Sequence, residues 1–101
     1  MVEVKIIWSE ESLNNIEEII SFISRGSEFF AMNFASKIME AVDTLKVFSE
    51  IGRVVPEYDN MKIREILYRN YRIVYKIDGK VVEILTIFHG SKLLEKRIMK
   101  N

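Results

Sequence analysis

Apolar and polar residues follow two different periods along the chain, helical in the first half and strand-like in the second. Residues 2 to 8, Val-Glu-Val-Lys-Ile-Ile-Trp, alternate and then run apolar, which predicts a first strand with one well-buried end. Ser9 follows as a helix N-cap, Glu10 and Glu11 put negative charge in the first turn, and Trp8 with Leu13 has the spacing of a hydrophobic staple. Leu13, Ile16, Ile19, Ile20 and Ile23 recur at helical spacing, so a helix is predicted over about 10–24. Ser24-Arg25-Gly26-Ser27 breaks the pattern, and Ser27 with Glu28 restarts it. Phe30, Phe34, Ile38, Val42, Leu45 and Phe48 then step by four and three, predicting a second helix over about 28–49 with the Phe30, Phe34 and Phe48 stripe in the core. The short connection makes the pair an antiparallel hairpin. Gly52 suits a C-terminal cap, and Pro56 prevents the helix from resuming.

Beyond residue 60 the period changes to two. Lys62 to Leu67, Tyr71 to Ile77 and Val81 to Phe88 are rich in Ile, Val and Tyr, and Asp78-Gly79 between the last two is a strong hairpin signal. With Asp78-Gly79 as the turn, Ile77 pairs with Lys80, Tyr75 with Val82, Ile73 with Ile84 and Tyr71 with Thr86, giving an apolar face for the helical hairpin to cover. The other face carries Arg72, Val74 and Lys76 opposite Ile87, Leu85 and Glu83, with a cross-strand ion pair expected between Lys76 and Glu83. These elements predict an α+β fold: an N-terminal strand and an antiparallel helical hairpin packed on a small antiparallel β-sheet, in a single domain over residues 1–101.

With Arg72 facing Ile87, His89 lies two residues further along the same face as its diagonal neighbour, roughly 7 Å away at Cβ and within joint reach of one phosphate. RNA cleavage by 2′-OH attack requires a base of near-neutral pKa and a cation to stabilise the pentavalent phosphate, and His89 with Arg72 meets both needs. Arg64, Lys62, Arg69 and Lys92 are phosphate-contact residues by type around this pair, with Arg53 beside them. The competing reading makes His89 a strand-end residue bonded to backbone and pairs Arg72 with Glu65 or Glu83.

Composition narrows the classes. With no Cys and one His, neither a disulfide nor a metal site is expected, and no glycine-rich loop offers a nucleotide cofactor a cradle, so no cofactor is implied. At 101 residues the chain suffices for one modest core, and no apolar run approaches a membrane span. The N-terminus lacks a basic leader and cleavage site, so a soluble cytoplasmic protein with no membrane partner is expected. The formal net charge is zero, yet residues 1–50 carry four basic and nine acidic side chains, whereas residues 51–101 carry eleven and six. Neutrality therefore conceals −5 against +5, and a phosphate-bearing partner remains open to the basic half.

Val55-Pro56, Ile63-Arg64-Glu65-Ile66, the Tyr71-Arg72-Ile73-Val74-Tyr75 strand and the Val82 to Gly90 segment ending in His89, in the order strand, helical hairpin, antiparallel strands, resemble the RelE/ParE superfamily of toxins. The resemblance spans the chain to about residue 94. It implies a type II toxin–antitoxin (plasmid stabilisation) module whose toxin is neutralised by an antitoxin encoded beside it. RelE-like members cut mRNA at the ribosome and ParE-like members inhibit DNA gyrase, so the implied target is gyrase or ribosome-bound mRNA, and only the first branch is enzymatic. Arg72 matches the Arg that stabilises phosphate charge in the ribonuclease branch, and His89 sits where some of those members place a general base. Gly90 follows His89 where a Tyr stands in that branch, no Lys pair matches a catalytic one, and the long helices with Ile-Arg-Glu-Ile look closer to ParE. A non-toxic interaction domain of the same fold is the remaining alternative. An acidic, amphipathic antitoxin segment that folds on binding would suit a basic face beside an apolar edge.

Overall fold

The computed structural model describes residues 3–90. Its elements run β1 (Lys5–Trp8), α1 (Glu10–Ser24), α2 (Glu28–Thr44), β2 (Arg53–Val54), β3 (Ile63–Tyr68), β4 (Tyr71–Asp78) and β5 (Val81–His89). The five strands form one sheet in the order β1-β5-β4-β3-β2. Neighbours are antiparallel except at one edge, where β1 joins β5 in parallel, so the sheet is mixed rather than wholly antiparallel. Two helices pack on this sheet, as the α+β pattern implies.

Both helices begin at serine caps. The Ser9 hydroxyl accepts from the Ser12 N–H at 3.0 Å, and Ser27 accepts from Phe30 at 3.2 Å. α2 stops at Thr44, about one turn earlier than the periodicity suggests, and the chain leaves through tight turns before β2. The buried stripe of α2 is Ala31, Phe34, Ile38, Val42 and Leu45, which meets Ile73, Tyr75, Val82, Ile84 and Ile87 of the sheet. At 100° per residue Phe30 lies roughly 80° from the centre of that stripe. Phe30 is accordingly 63% exposed, and Phe48, beyond the helix end, is 55% exposed, so only Phe34 of the three aromatic positions is core. Leu13 departs from the buried face of α1 by a similar angle and is 48% exposed; the polar Ser12 and Asn15 are buried in its stead. Trp8 packs on the core without Leu13 closing over it as a buried staple.

The β4–β5 hairpin turns one residue later than Asp78-Gly79. Asp78 pairs with Val81 around the two-residue loop Gly79-Lys80, where Gly79 takes φ +61°, the region that primed turns require at their first loop position. Lys76 and Glu83 are register partners as expected, but among the described residues the ion pairs lie elsewhere. Relative to the pairing of Ile77 with Lys80, this turn slides the partners by two residues, which leaves every face unchanged. A bulge between Tyr75–Ile84 and Val74–Thr86 then adds one more residue, Leu85, and that odd step does change faces.

Polar side chains of α1 complete the bulge. β1 ends at Trp8 opposite Ile84, and the start of α1 takes over as the neighbour of β5. The Ser9 N–H donates to the Ile84 carbonyl at 3.0 Å and its hydroxyl to the Leu85 carbonyl at 2.8 Å. Asn15 Oδ1 accepts from the Ile87 N–H at 3.0 Å and from the Thr86 hydroxyl at 2.8 Å. Backbone groups freed by the irregular pairing are thus satisfied by the helix packed beside them. No described helix is long and apolar enough to cross a membrane.

Candidate functional site

The face of the sheet away from the helices carries a second apolar cluster, Val55, Ile63, Val74 and Phe88, with Tyr58 and Leu85 packed against it. Next to it lies a chain of charges. Glu65, on β3 and wholly buried, accepts from Arg53 Nε at Oε2 and from Arg72 Nε at Oε1, each at 2.6 Å. Arg72 then spreads its two terminal nitrogens over Glu57, Nη1 to Oε2 and Nη2 to Oε1, each at 2.8 Å. Its guanidinium carbon also stands 5.3 Å from the centre of the Phe88 ring. Local sequence explains the placement of Glu57: Val55-Pro56-Glu57-Tyr58 is a turn closed by the Tyr58 N–H on the Val55 carbonyl at 3.1 Å, with Pro56 at the position where its fixed φ is favourable.

The electrostatics follow from these contacts. The hydrogen bonds from Arg72 hold the Glu57 carboxyl below its ordinary range, against an opposing push from partial burial. Glu57 and then Glu65 hold the Arg72 proton more tightly still, so the guanidinium stays charged. Arg72 is only 7% exposed. It is the centre of an ion-pair chain, and of the two partners expected for it, Glu65 is one and Glu83 is not.

The diagonal placement of Arg72 and His89 on one face does not survive the bulge. Arg72 pairs with Phe88 rather than facing Ile87, and His89 pairs with Tyr71. Consecutive strand residues point to opposite faces, so the two side chains diverge. His89 lies edge-on to Tyr71 at 5.6 Å between ring centres, and Tyr71 in turn packs edge-on to Phe34 of α2 at 5.1 Å. The two residues share only the rim of a depression of about 400 Å³ at the end of the sheet, bordered also by Arg53, Glu57, Leu67 and Arg69.

The other expected phosphate ligands are dispersed. Arg69 does border the depression; it holds φ +54° in the β3–β4 turn, and its Nε donates to the Tyr68 hydroxyl at 3.2 Å. Lys62 stands at the opposite end of β3, roughly 20 Å along the strand. Arg64 points its Nη1 to the carbonyls of Gly52 and Glu50, at 3.0 and 3.3 Å, and so holds the segment leading into β2. Lys92 lies outside the described residues. Gly52 is a close-approach glycine rather than a helix cap: a Cβ there would stand 2.6 Å from both the Glu65 carbonyl oxygen and the Tyr75 hydroxyl. That hydroxyl, whose pKa burial raises, accepts from the Gly52 N–H at 3.0 Å and donates to the Ser49 carbonyl at 2.7 Å.

Glu57 and Asn15, the polar residues that organise this region, are not singled out by motif or period. Glu65 carried a weak signal, since it sits between Ile63 and Leu67 in the alternation, on the same face as both.

The family model described as the ParE toxin of the type II toxin–antitoxin system parDE matches residues 6–94. The chain belongs to this family and is a type II toxin. No curated protein matches it significantly. Among solved structures it is similar to the chromosomal ParDE toxin–antitoxin system of P. aeruginosa, with a TM-score of 0.71 at 19% identity over 86% of this chain and 96% of that one. It is also similar to the RelBE2 toxin–antitoxin complex of Mycobacterium tuberculosis, with a TM-score of 0.62 at 17% identity over 91% and 97%. At these identities the likeness establishes the fold.

Proposed function

We propose that this toxin arrests growth in the cytoplasm by binding DNA gyrase, without cutting RNA, and that a cognate antitoxin holds it inactive. The observation that carries the reading is the commitment of Arg72. Its Nε and both terminal nitrogens are engaged by Glu65 and Glu57, so it offers no open cationic fork to a scissile phosphate. His89, the one histidine of the chain, leaves the strand on the other face. A 2′-OH nucleophile, its base and its phosphate clamp must meet within hydrogen-bond reach, and these two residues diverge instead. Membership of the ParE family supports the gyrase branch, and the toxin–antitoxin complexes among the similar folds support an antitoxin partner.

The test is induction of the chain alone in cells, with DNA and protein synthesis followed by labelled thymidine and methionine. Gyrase inhibition stops thymidine incorporation first, and co-expression of the small gene beside it restores growth. Methionine incorporation stopping first, with cleaved transcripts, would instead identify a ribosome-dependent nuclease built on the shared rim of Arg72 and His89.

A further inference from the structure

Helix α2 carries a second apolar stripe besides its buried one. Phe29, Met32, Ser36 and Met39 follow one another by three, four and three residues, and at 100° per residue the three apolar members each lie roughly 140–160° around the helix from Phe34. They therefore point away from the sheet: Phe29 and Met32 are each 74% exposed and Met39 is 53% exposed. Phe30 widens one end of the stripe, its ring edge-on to that of Phe29 at 5.7 Å between centres. At about 150–250 Å² for a whole aromatic side chain, these four residues leave on the order of 500 Å² of surface open, as large as the patches that mark interaction sites on monomers. Lys, Glu or Ala would serve the helix as well at such positions, so helix formation does not account for the two phenylalanines.

Charge selects the occupant. Residues 10–44 carry seven acidic and two basic side chains, a net of −5. Glu28 stands one turn before Met32 and Asp43 one turn after Met39, so both ends of the stripe bear carboxylates. The lysines beside it are engaged, Lys37 by Glu40 at 3.8 Å and Lys46 by Asp43 at 3.0 Å. A second copy is a poor occupant, because stripe against stripe sets one hairpin of net −5 against another. An acidic antitoxin segment likewise suits the basic half of the chain and not this one. The complement is an apolar groove rimmed by basic side chains. Gyrase must carry basic surface, because it grips duplex DNA.

We propose that Phe29, Phe30, Met32 and Met39 form the target-binding surface of the toxin and seat in an apolar groove with a basic rim on gyrase. This inference rests on the gyrase reading and adds to it the face that makes the contact. The rings supply rigid anchors, and the unbranched methionines adapt to the walls of the groove. The acidic flanks steer the encounter and set its orientation.

The test is a supercoiling assay with purified toxin and gyrase, with capture by the antitoxin encoded beside the toxin and sedimentation in parallel. Phe29→Gln combined with Met32→Gln should raise the concentration for half-inhibition about tenfold, the loss expected on removing the centre of an interface. Met61→Gln, at a comparably exposed residue in the segment before β3, should leave it unchanged. Glu28→Lys should weaken inhibition too, because it sets like charge against the basic rim. The double variant should keep its unfolding midpoint and its capture by the antitoxin. Full inhibition by the double variant overturns the inference, and full inhibition by Glu28→Lys overturns the basic rim. Loss of antitoxin capture together with inhibition would make the stripe the antitoxin's seat, and a wild-type dimer that the double variant reduces to monomer would make it a contact between copies; either result overturns the inference. Wild-type protein that arrests growth without inhibiting supercoiling overturns the gyrase reading itself, a result recognisable before any substitution is made.

Discussion

Arg72 Nη1 and Nη2 each donate to a different oxygen of Glu57 at 2.8 Å, while the Nε of the same side chain donates to buried Glu65. One arginine thus fastens a surface strap to the middle of a sheet. Replacing it by alanine strands Glu65 with Arg53 alone, and loss of one member of a buried ion-pair chain destabilises a fold by about 3–5 kcal/mol. Arg72→Ala should accordingly show a large fall in the urea midpoint. Arg53→Ala, whose partner keeps Arg72 and whose own side chain is largely exposed, should fall by much less. Equal effects would contradict the assignment of Arg72 as the centre of the chain.

The same contacts give stability a defined acid dependence. The Glu57 pKa is lowered in the folded protein, chiefly by hydrogen bonding to Arg72, from an ordinary value of 4.5. A depressed carboxylate contributes stability that is present above the unfolded value and is lost as pH falls through the folded one. The difference in Tm between wild type and Glu57→Gln should therefore be constant from pH 7 to about 5 and shrink below 4.5. A difference that persists unchanged to pH 3 would mean the carboxylate charge is not what Arg72 holds.

Asn15 joins helix to sheet through the bulge. Asn15→Leu leaves the Ile87 N–H and the Thr86 hydroxyl without their partner, and each buried unsatisfied group costs about 1–3 kcal/mol. Thermal unfolding should show a fall of that order. The companion substitution Asn14→Leu, on the exposed side of α1, should be near neutral.

Around Gly52 the limit is space. A methyl group there meets backbone oxygen and a buried hydroxyl, neither of which is the tip of a flexible chain, so Gly52→Ala should lower stability by about 1–3 kcal/mol. Tyr75→Phe removes the hydroxyl that serves both the Gly52 N–H and the Ser49 carbonyl and should lower it by about 1–2 kcal/mol. The paired variant should cost less than the two single losses added together, because the phenylalanine vacates one of the two atoms the new methyl meets. Strict additivity by denaturant titration would show that the hydroxyl does not form the wall.

How far the sequence discloses this arrangement depends on periodicity. The helix from Glu10 to Ser24 and strands three to five are legible to within about a residue, because apolar spacing and serine caps report directly on burial and on helix starts. Phe30, Phe48 and Leu13 mislead because apolarity marks a residue that can be buried, not one that is; whether it is depends on which face meets the sheet. The expected same-face placement of Arg72 and His89 fails for a different reason. Face assignment along a strand is a parity, and the extra residue Leu85 inverts it for everything beyond Val74, separating His89 from Arg72. Nothing in Ile84-Leu85-Thr86-Ile87 announces a bulge; the signal lies 70 residues away, in Asn15, a polar residue on the buried side of a helix. The edge strand Lys5–Trp8 was legible as a strand but not as a parallel one, since its partner is chosen by the path of the helical hairpin.

The central claim is that the toxin acts by binding and not by phosphodiester cleavage. It is tested most directly by assaying one purified preparation for inhibition of gyrase supercoiling and for ribosome-dependent mRNA cleavage, with His89→Gln in parallel. The account predicts that wild type and His89→Gln inhibit supercoiling equally and that neither cuts mRNA. Cleavage by the wild type that His89→Gln abolishes, with supercoiling untouched, would contradict it.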